Sequence, residues 1–380
     1  MLFYFKYITH DIEKLHELLV FFFDKVETDN PTSFDTKTLF PAWYSETTNR
    51  LANLEKQLKE FLTFERDLKL KIIESFRLAN RIAILFSDKS QHIPTAKDFD
   101  DPKVTTFLNN LFTPLYDGQL SPKKGGSAPF PNKVSTDLHD HYKTFREDHI
   151  KTQGTFTLCP FCGLEPLRMR ESEPRPDYDH ILPKGDSLFV FSSVNMRNLV
   201  PIGSTCNKLK NTFHLLYDGE GMNISNRTLA FYPYDDSPHP FELINFNLVC
   251  SQKPEFRQKG KWCVTIKPND NDSTIVKEKI DTWLRVFKIQ KRYSEYIGEQ
   301  ENTWRRNFLL NKRGILQDIK NEIQKKLDND LLILYYKIAT TVGIIPERLF
   351  HQWALNEEDY LKTFAIPDTL ATKVDIDMNW

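Results

Sequence analysis

The chain has 380 residues, enough for two or three domains of about 100–200 residues each, so a sizeable buried core is expected. Its 51 Lys and Arg against 52 Asp and Glu leave a net charge of −1, which excludes a uniformly basic nucleic-acid coat and an acidic disordered tail. Hydrophobic residues at 40% and aromatic residues at 13%, with no apolar run near the roughly 20 residues needed to cross a bilayer, point to a soluble, cytoplasmic, ring-packed protein with no membrane partner.

In chain order, residues 1–7 lack the basic lead and small-residue cleavage site of a signal peptide and read as a short buried strand. Ile12, Leu15, Leu18, Leu19 and Phe22 recur at helical steps. A longer helical pattern runs over residues 45–86, with Ser45 or Thr47 as its cap. Its length suits either a hairpin packing on itself or an arm through which two copies associate, giving a homo-oligomer. From residue 87 to 134 the periodicity fades among prolines and the run Lys123-Lys124-Gly125-Gly126-Ser127, which predicts a loop-rich linker. A short helix is expected over residues 140–149. Residues 229–234 and 241–266 favour strands, and helices return over residues 273–343, followed by a weakly patterned tail from Pro346. The boundaries that follow are 1–95 helical, 96–135 linker, 136–220 central module, 221–270 β-rich and 271–380 helical.

Five cysteines (159, 162, 206, 250 and 263) argue against a disulfide framework. Two form the knuckle Cys159-Pro160-Phe161-Cys162-Gly163, whose spacing lets two thiolates grip one face of a tetrahedral Zn²⁺. Next comes Asp177-Tyr178-Asp179-His180-Ile181-Leu182-Pro183-Lys184, a short strand-like run. The segment from Asn198 to Asn211 then reads as an apolar strand, a Ser204 or Thr205 cap, and a helix carrying Cys206, Asn207, Lys208 and Lys210. Taken singly, each feature has a bland reading: a structural zinc staple, a surface pair, a turn residue. Their conjunction in one short window does not.

Together these motifs resemble the HNH endonuclease family, over about 55 residues. The resemblance implies an α+β chain with a central ββα-metal module and zinc knuckle, flanked by a helical N-terminal region and a β-then-helical C-terminal region. It implies metal-dependent hydrolysis of phosphodiester bonds, in DNA before RNA because the family mostly cuts DNA. It places the family's Asp-His pair on Asp179 and His180, its central Asn on Asn198 and its last motif residue on Asn207.

The residue types suit that chemistry. His180 has the pKa of a general base, and Asp179 and Asn207 offer hard oxygens to Mg²⁺ or Mn²⁺. Asn198 reads as an amide that braces a loop. Lys184, Arg197, Lys208 and Lys210 are candidate phosphate contacts. Adjacent strand residues face opposite ways, so Asp179 and His180 reach one ion only if the strand kinks or ends before Pro183.

For zinc, Cys159, Cys162 and Cys206 match the family, but Gly203 stands where a fourth cysteine is usual. The remaining ligand is open among His214, Cys250, Cys263, water or none. The cluster Arg285, Lys288, Lys291, Arg292, Arg305, Arg306, Lys312 and Arg313 either tracks a phosphate backbone or forms a solvated helix face. A looser similarity, carried by residues 179–184 and Phe231-Tyr232-Pro233-Tyr234-Asp235, is to HNH effectors of bacterial anti-phage defence that work beside an ATPase or sensor from the same operon. An RNA-cleaving effector, or a nucleic-acid-binding module with a decayed site, are the alternatives.

Overall fold

The computed structural model describes residues 1–46, 50–120, 137–153, 158–167, 176–185, 188–211, 213–219, 222, 224–236, 238–253, 259–270, 273–311, 316–332, 337–338 and 341–362. Among the described residues helices dominate, with two separate two-stranded antiparallel sheets. The chain is α+β, and it divides into two units.

One unit comprises Tyr4–Thr152 and Leu167–Asp236. Its main helices are α1 (Lys14–Asp29), α2 (Ala52–Leu62), α3 (Arg66–Ala79), α4 (Ile82–Ser87), α5 (Pro102–Leu115) and α6 (Leu138–Gln153). The 45–86 pattern breaks into three helices, and α3 packs against α1. Arg66, at the first turn of α3, donates to the carbonyls of Val26 (2.9 Å) and Glu27 (2.7 Å) at the end of α1, where carbonyls run out of helical partners. The core is built of rings: Phe23 lies 4.9 Å from Phe76 and 5.3 Å from Phe61, and Phe61 stacks 5.7 Å from Phe107.

The stretch expected to be a linker contains α5. Pro102 occupies its first turn, where no N–H is needed, and the Asp101 carboxylate caps Lys103 N at 2.8 Å. Val104, Phe107, Leu108, Leu111, Phe112 and Leu115 then line one buried face. Pro102 starts the helix rather than breaking it, and Pro114 falls within its last turn. The Lys123–Ser127 run, Thr47, Lys312 and Arg313 lie outside the described residues.

Strands β1 (Asp177–His180) and β2 (Leu199–Ile202) pair antiparallel, from Asp177↔Ile202 to His180↔Leu199. Helix α7 (Ser204–Lys210) follows at once, with Gly203 rather than Ser204 or Thr205 at its N-cap and no side-chain cap. This strand–strand–helix element is held from several sides. Asn195 Nδ2 donates to Asn80 Oδ1 (2.9 Å), and the hydroxyls of Tyr232 and Tyr234 donate to the carbonyls of Arg197 (2.9 Å) and Leu199 (2.6 Å). Residues 229–234 are therefore an irregular segment, buried except for its last residue, Tyr234, which is half-buried, and not the strand expected there. Arg227, 4% exposed, donates to the carbonyls of Leu85, Asp88, Gln91 and Leu216 at 2.8–3.1 Å.

The other unit comprises Met1–Phe3, Gln153–Pro166 and Ser237–Trp380. Leu2 donates to the Pro160 carbonyl (2.8 Å) and accepts from Phe241 N (3.0 Å). The N-terminus is thus buried as expected, through single bonds and not a strand ladder. Strands β3 (Ile244–Gln252) and β4 (Lys261–Pro268) alternate as their sequences predict, turning Leu248, Val264 and Ile266 inward and Asn245, Asn247 and Lys267 outward. Helices α8 (Thr274–Phe287), α9 (Ile289–Asn311), α10 (Leu316–Leu332), α11 (Ile344–Asn356) and α12 (Glu358–Lys362) complete it, the last two within the tail that lacks a clear pattern. Part of the cationic cluster is engaged internally: Arg292 lies 3.8 Å from Glu165, and Arg305 lies 3.5 Å from the buried Glu301. Among the described residues no helix is long and apolar enough to cross a membrane.

Three imidazoles of the first unit are folded as neutral rings. His16 stacks on Phe76 at 5.5 Å, His141 Nδ1 meets the Tyr178 hydroxyl at 2.6 Å, and His149 sits 4.0 Å from Phe145. Burial pushes each down to about 4. The unfolded chain takes up these protons below about pH 6.5 and the folded chain does not, so their stabilisation is complete above that value and is lost as pH falls toward 4. The midpoint of thermal unfolding should therefore be flat near pH 7–8 and fall steadily from pH 6.5 to 4. Neither ring nitrogen of His149 has a hydrogen-bond partner among the described residues, so His149→Leu should flatten that slope without lowering stability at pH 7.

Candidate active site and metal centre

The strand alternation of β1 decides where each motif residue goes. Asp177 and Asp179 share one face, and Tyr178 and His180 share the other. Asn207 and Lys210, three residues apart, share one face of α7. The two polar faces meet: Asn207 Nδ2 donates to Asp177 Oδ2 at 3.0 Å, and Lys210 Nζ lies 2.9 Å from Asp179 Oδ2. Lys210 also donates to the His180 carbonyl at 2.7 Å. Burial pushes the Asp179 carboxyl above its ordinary value, with the Lys210 ammonium pulling the other way.

His180 points elsewhere. Its Nε2 lies 2.9 Å from the Ser193 carbonyl, and its ring packs 4.5 Å from Tyr116. A carbonyl only accepts, so Nε2 carries the proton and Nδ1 the lone pair. Burial lowers its pKa to about 3, so the imidazole is neutral at pH 7. The strand does end before Pro183, at His180, but its register is regular through His180↔Leu199, so the two side chains still face opposite ways. The structure therefore gathers Asp177, Asp179, Asn207 and Lys210 together, and it does not turn His180 toward them.

Asn198 is fully buried and braces the 181–198 connection, as its sequence position suggested. Its Oδ1 accepts from Leu182 N (2.8 Å), while Nδ2 donates to the carbonyls of Leu182 (3.0 Å) and Ser192 (3.2 Å). This holds the loop that presents the Ser193 carbonyl to His180.

The four candidate phosphate contacts divide. Arg197 and Lys208 are exposed, the Arg197 guanidinium resting 4.1 Å over the Tyr7 ring. Lys184 is paired with Asp117 at 2.6 Å and lies over Tyr116. Lys210, at 2% exposure, is committed to Asp179 and the His180 carbonyl, so it is an internal counter-ion and not a surface phosphate contact.

The face offers two carboxylates, oxygen donors of the kind a hard divalent cation takes, while the Asn207 amide turns its nitrogen toward Asp177. Asp177 is exposed, and the Asp179 side chain keeps 18% exposure, so solvent reaches both. Asp177 is a candidate that the motif comparison passed over; its signal was the two-residue spacing from Asp179.

The knuckle is the second centre. The thiols of Cys159, Cys162 and Cys206 and a carboxylate oxygen of Glu165 all lie within 4.8 Å of one another. A tetrahedral Zn²⁺ with bonds of about 2.3 Å to sulfur spaces its thiolates about 3.8 Å apart, so a small contraction closes the shell. This Cys₃Glu group can hold a metal such as zinc. The candidates for the fourth position were His214, Cys250, Cys263 or water; the group contains none of the three side chains. Cys250 and Cys263 belong to β3 and β4, the latter exposed. Glu165 is the residue that the sequence reading missed, and its only signal was a position three beyond Cys162.

Backbone contacts shape the knuckle. Gly163 has φ +63°, and a Cβ there would stand 2.6 Å from Leu2 Cδ1. Leu164 N donates to Cys162 Sγ at 3.4 Å, which favours a thiolate. Trp283 Nε1 and the Tyr293 hydroxyl donate to the carbonyls of Phe161 (2.6 Å) and Cys162 (2.8 Å).

The chain matches no family model, no curated protein and no solved structure.

The purified protein should carry about one zinc per chain by elemental analysis. Cys162→Ser should lose it and lower the unfolding midpoint, whereas Glu165→Gln should only speed zinc release to a chelator. Equal zinc content in wild type and Cys162→Ser would rule out this centre.

Proposed function

We propose that this protein is a metal-dependent endonuclease of HNH type that hydrolyses phosphodiester bonds, with DNA the preferred substrate. The observation that carries the reading is the meeting of the acidic face of β1 with the amide and ammonium of α7, behind a connection locked by Asn198. In this reading Asp179 and Asn207 hold Mg²⁺ or Mn²⁺, with Asp177 beside them. The bound cation supplies positive charge where negative charge develops on the scissile phosphate. His180, on the opposite face of β1, serves as the base only if bound substrate brings the attacking water to its Nδ1, while its Nε2–H stays on the Ser193 carbonyl. Burial leaves it neutral and weakly basic, and Asn198 holds the loop that fixes its tautomer. Arg197 and Lys208 contact flanking phosphates from the exposed side.

For the biological role, we propose an effector of bacterial anti-phage defence, working with an ATPase or sensor partner. A net charge of −1 supports a nuclease that does not bind every duplex unaided.

Plasmid, single-stranded DNA and RNA should each be incubated with the purified chain and Mn²⁺ or Mg²⁺. Nicking or cleavage of plasmid is expected, falling by about 100-fold or more in His180→Ala and in Asp179→Ala, with the circular dichroism spectrum preserved. Degradation of RNA alone would reassign the substrate. A mobility shift of DNA without cleavage would leave a binding module. Cleavage unchanged in both variants would refute the site.

A further inference from the structure

We infer that Lys210 is a tethered cation that neutralises Asp179 in the metal-free chain and competes with the divalent ion for it, and so sets the affinity of the site. This rests on the reading of Asp179 as a metal ligand. A lysine is rarely this buried unless it is paired, and Lys210, at 2% exposure, meets two oxygens among the described residues. One is Asp179 Oδ2 at 2.9 Å, and the other is the His180 carbonyl at 2.7 Å. The exposed Lys208, two residues earlier on the same helix, has no such contact among the described residues.

The second bond is the informative one. A lysine held only by Asp179 would swing into solvent when a metal took the carboxylate. Lys210 is also anchored on the backbone of β1, and its stem is buried in the fold. It therefore keeps its positive charge beside the site when a divalent cation arrives. Like charges held close in a poorly solvated place disfavour one another strongly. The consequence is a site whose carboxylate is oriented without metal, but whose metal affinity is held down. Lys210 is a positioning residue, since its ammonium acts through Asp179 and the His180 carbonyl.

The test is a Mn²⁺ titration of the full-length chain without nucleic acid, read by isothermal calorimetry and by the free Mn²⁺ paramagnetic resonance signal. Lys210→Gln should tighten Mn²⁺ binding by about tenfold, within the usual range for two coupled sites. Lys210→Arg, which keeps the charge, should stay near wild type. Metal-free Lys210→Gln should also unfold at lower temperature than wild type, and Mn²⁺ should raise its midpoint by more than it raises that of wild type. If Lys210→Gln fails to fold without metal, Mn²⁺ should restore its folded spectrum at concentrations below the wild-type Kd; failure to do so counts against the inference. Asp179→Asn should weaken binding in wild type and cancel the tightening in the double variant. Unchanged or weaker Mn²⁺ affinity in folded Lys210→Gln, with Asp179→Asn still weakening binding, overturns this inference and leaves the metal site standing. Wild-type affinity in Asp179→Asn overturns both.

Discussion

Successive side chains leave a strand on opposite faces, and in β1 that rule separates two functions that sit side by side in the chain. Asp177 and Asp179 turn toward α7, while His180 turns toward the Ser193 carbonyl and the ring of Tyr116. A slip of one residue against β2 would exchange the two sets and bring the imidazole against Lys210. The register is therefore a condition of the whole site. It is set by the buried β2, all four of whose residues are inside, and by Asn198, whose amide ties both ends of the connection together.

Charge in this region is neutralised internally. The buried ammonium of Lys210 answers Asp179, and Lys184 answers Asp117. Buried ion pairs contribute little net stability, because desolvation offsets the attraction, but breaking one by removing a single partner is costly. The arrangement thus preserves geometry more than it adds stability: the carboxylate stays pointed in one direction. His180 reaches the same end by the opposite route, as a neutral ring whose proton position is fixed by one carbonyl.

The knuckle is defined first by packing. The carbonyls of Pro160, Phe161 and Cys162 accept from Leu2, Trp283 and Tyr293, and Phe161 stacks 4.6 Å from Phe287. Gly163 is required by its positive φ and by the nearness of Leu2. The cysteines are therefore presented by a turn that the surrounding helices already specify, and a metal would add to that order.

Much of this was legible in the residues alone. The helical period of α1, the alternation of β3 and β4, the knuckle and the bracing role of Asn198 all rest on spacing over a few residues, which local geometry dictates. The prolines that suggested a linker hid α5, because a proline in a first turn and one in a helix interior look alike until the helix is seen. What the sequence could not decide was which distant groups would meet. Glu165 joins the cysteines where Gly203 has no side chain, Asn207 takes Asp177, and Lys210 is drawn inside while Lys208 stays out. Those pairings are distances between separated segments, and packing and desolvation across the folded chain set them, whereas periodicity reports only on neighbours.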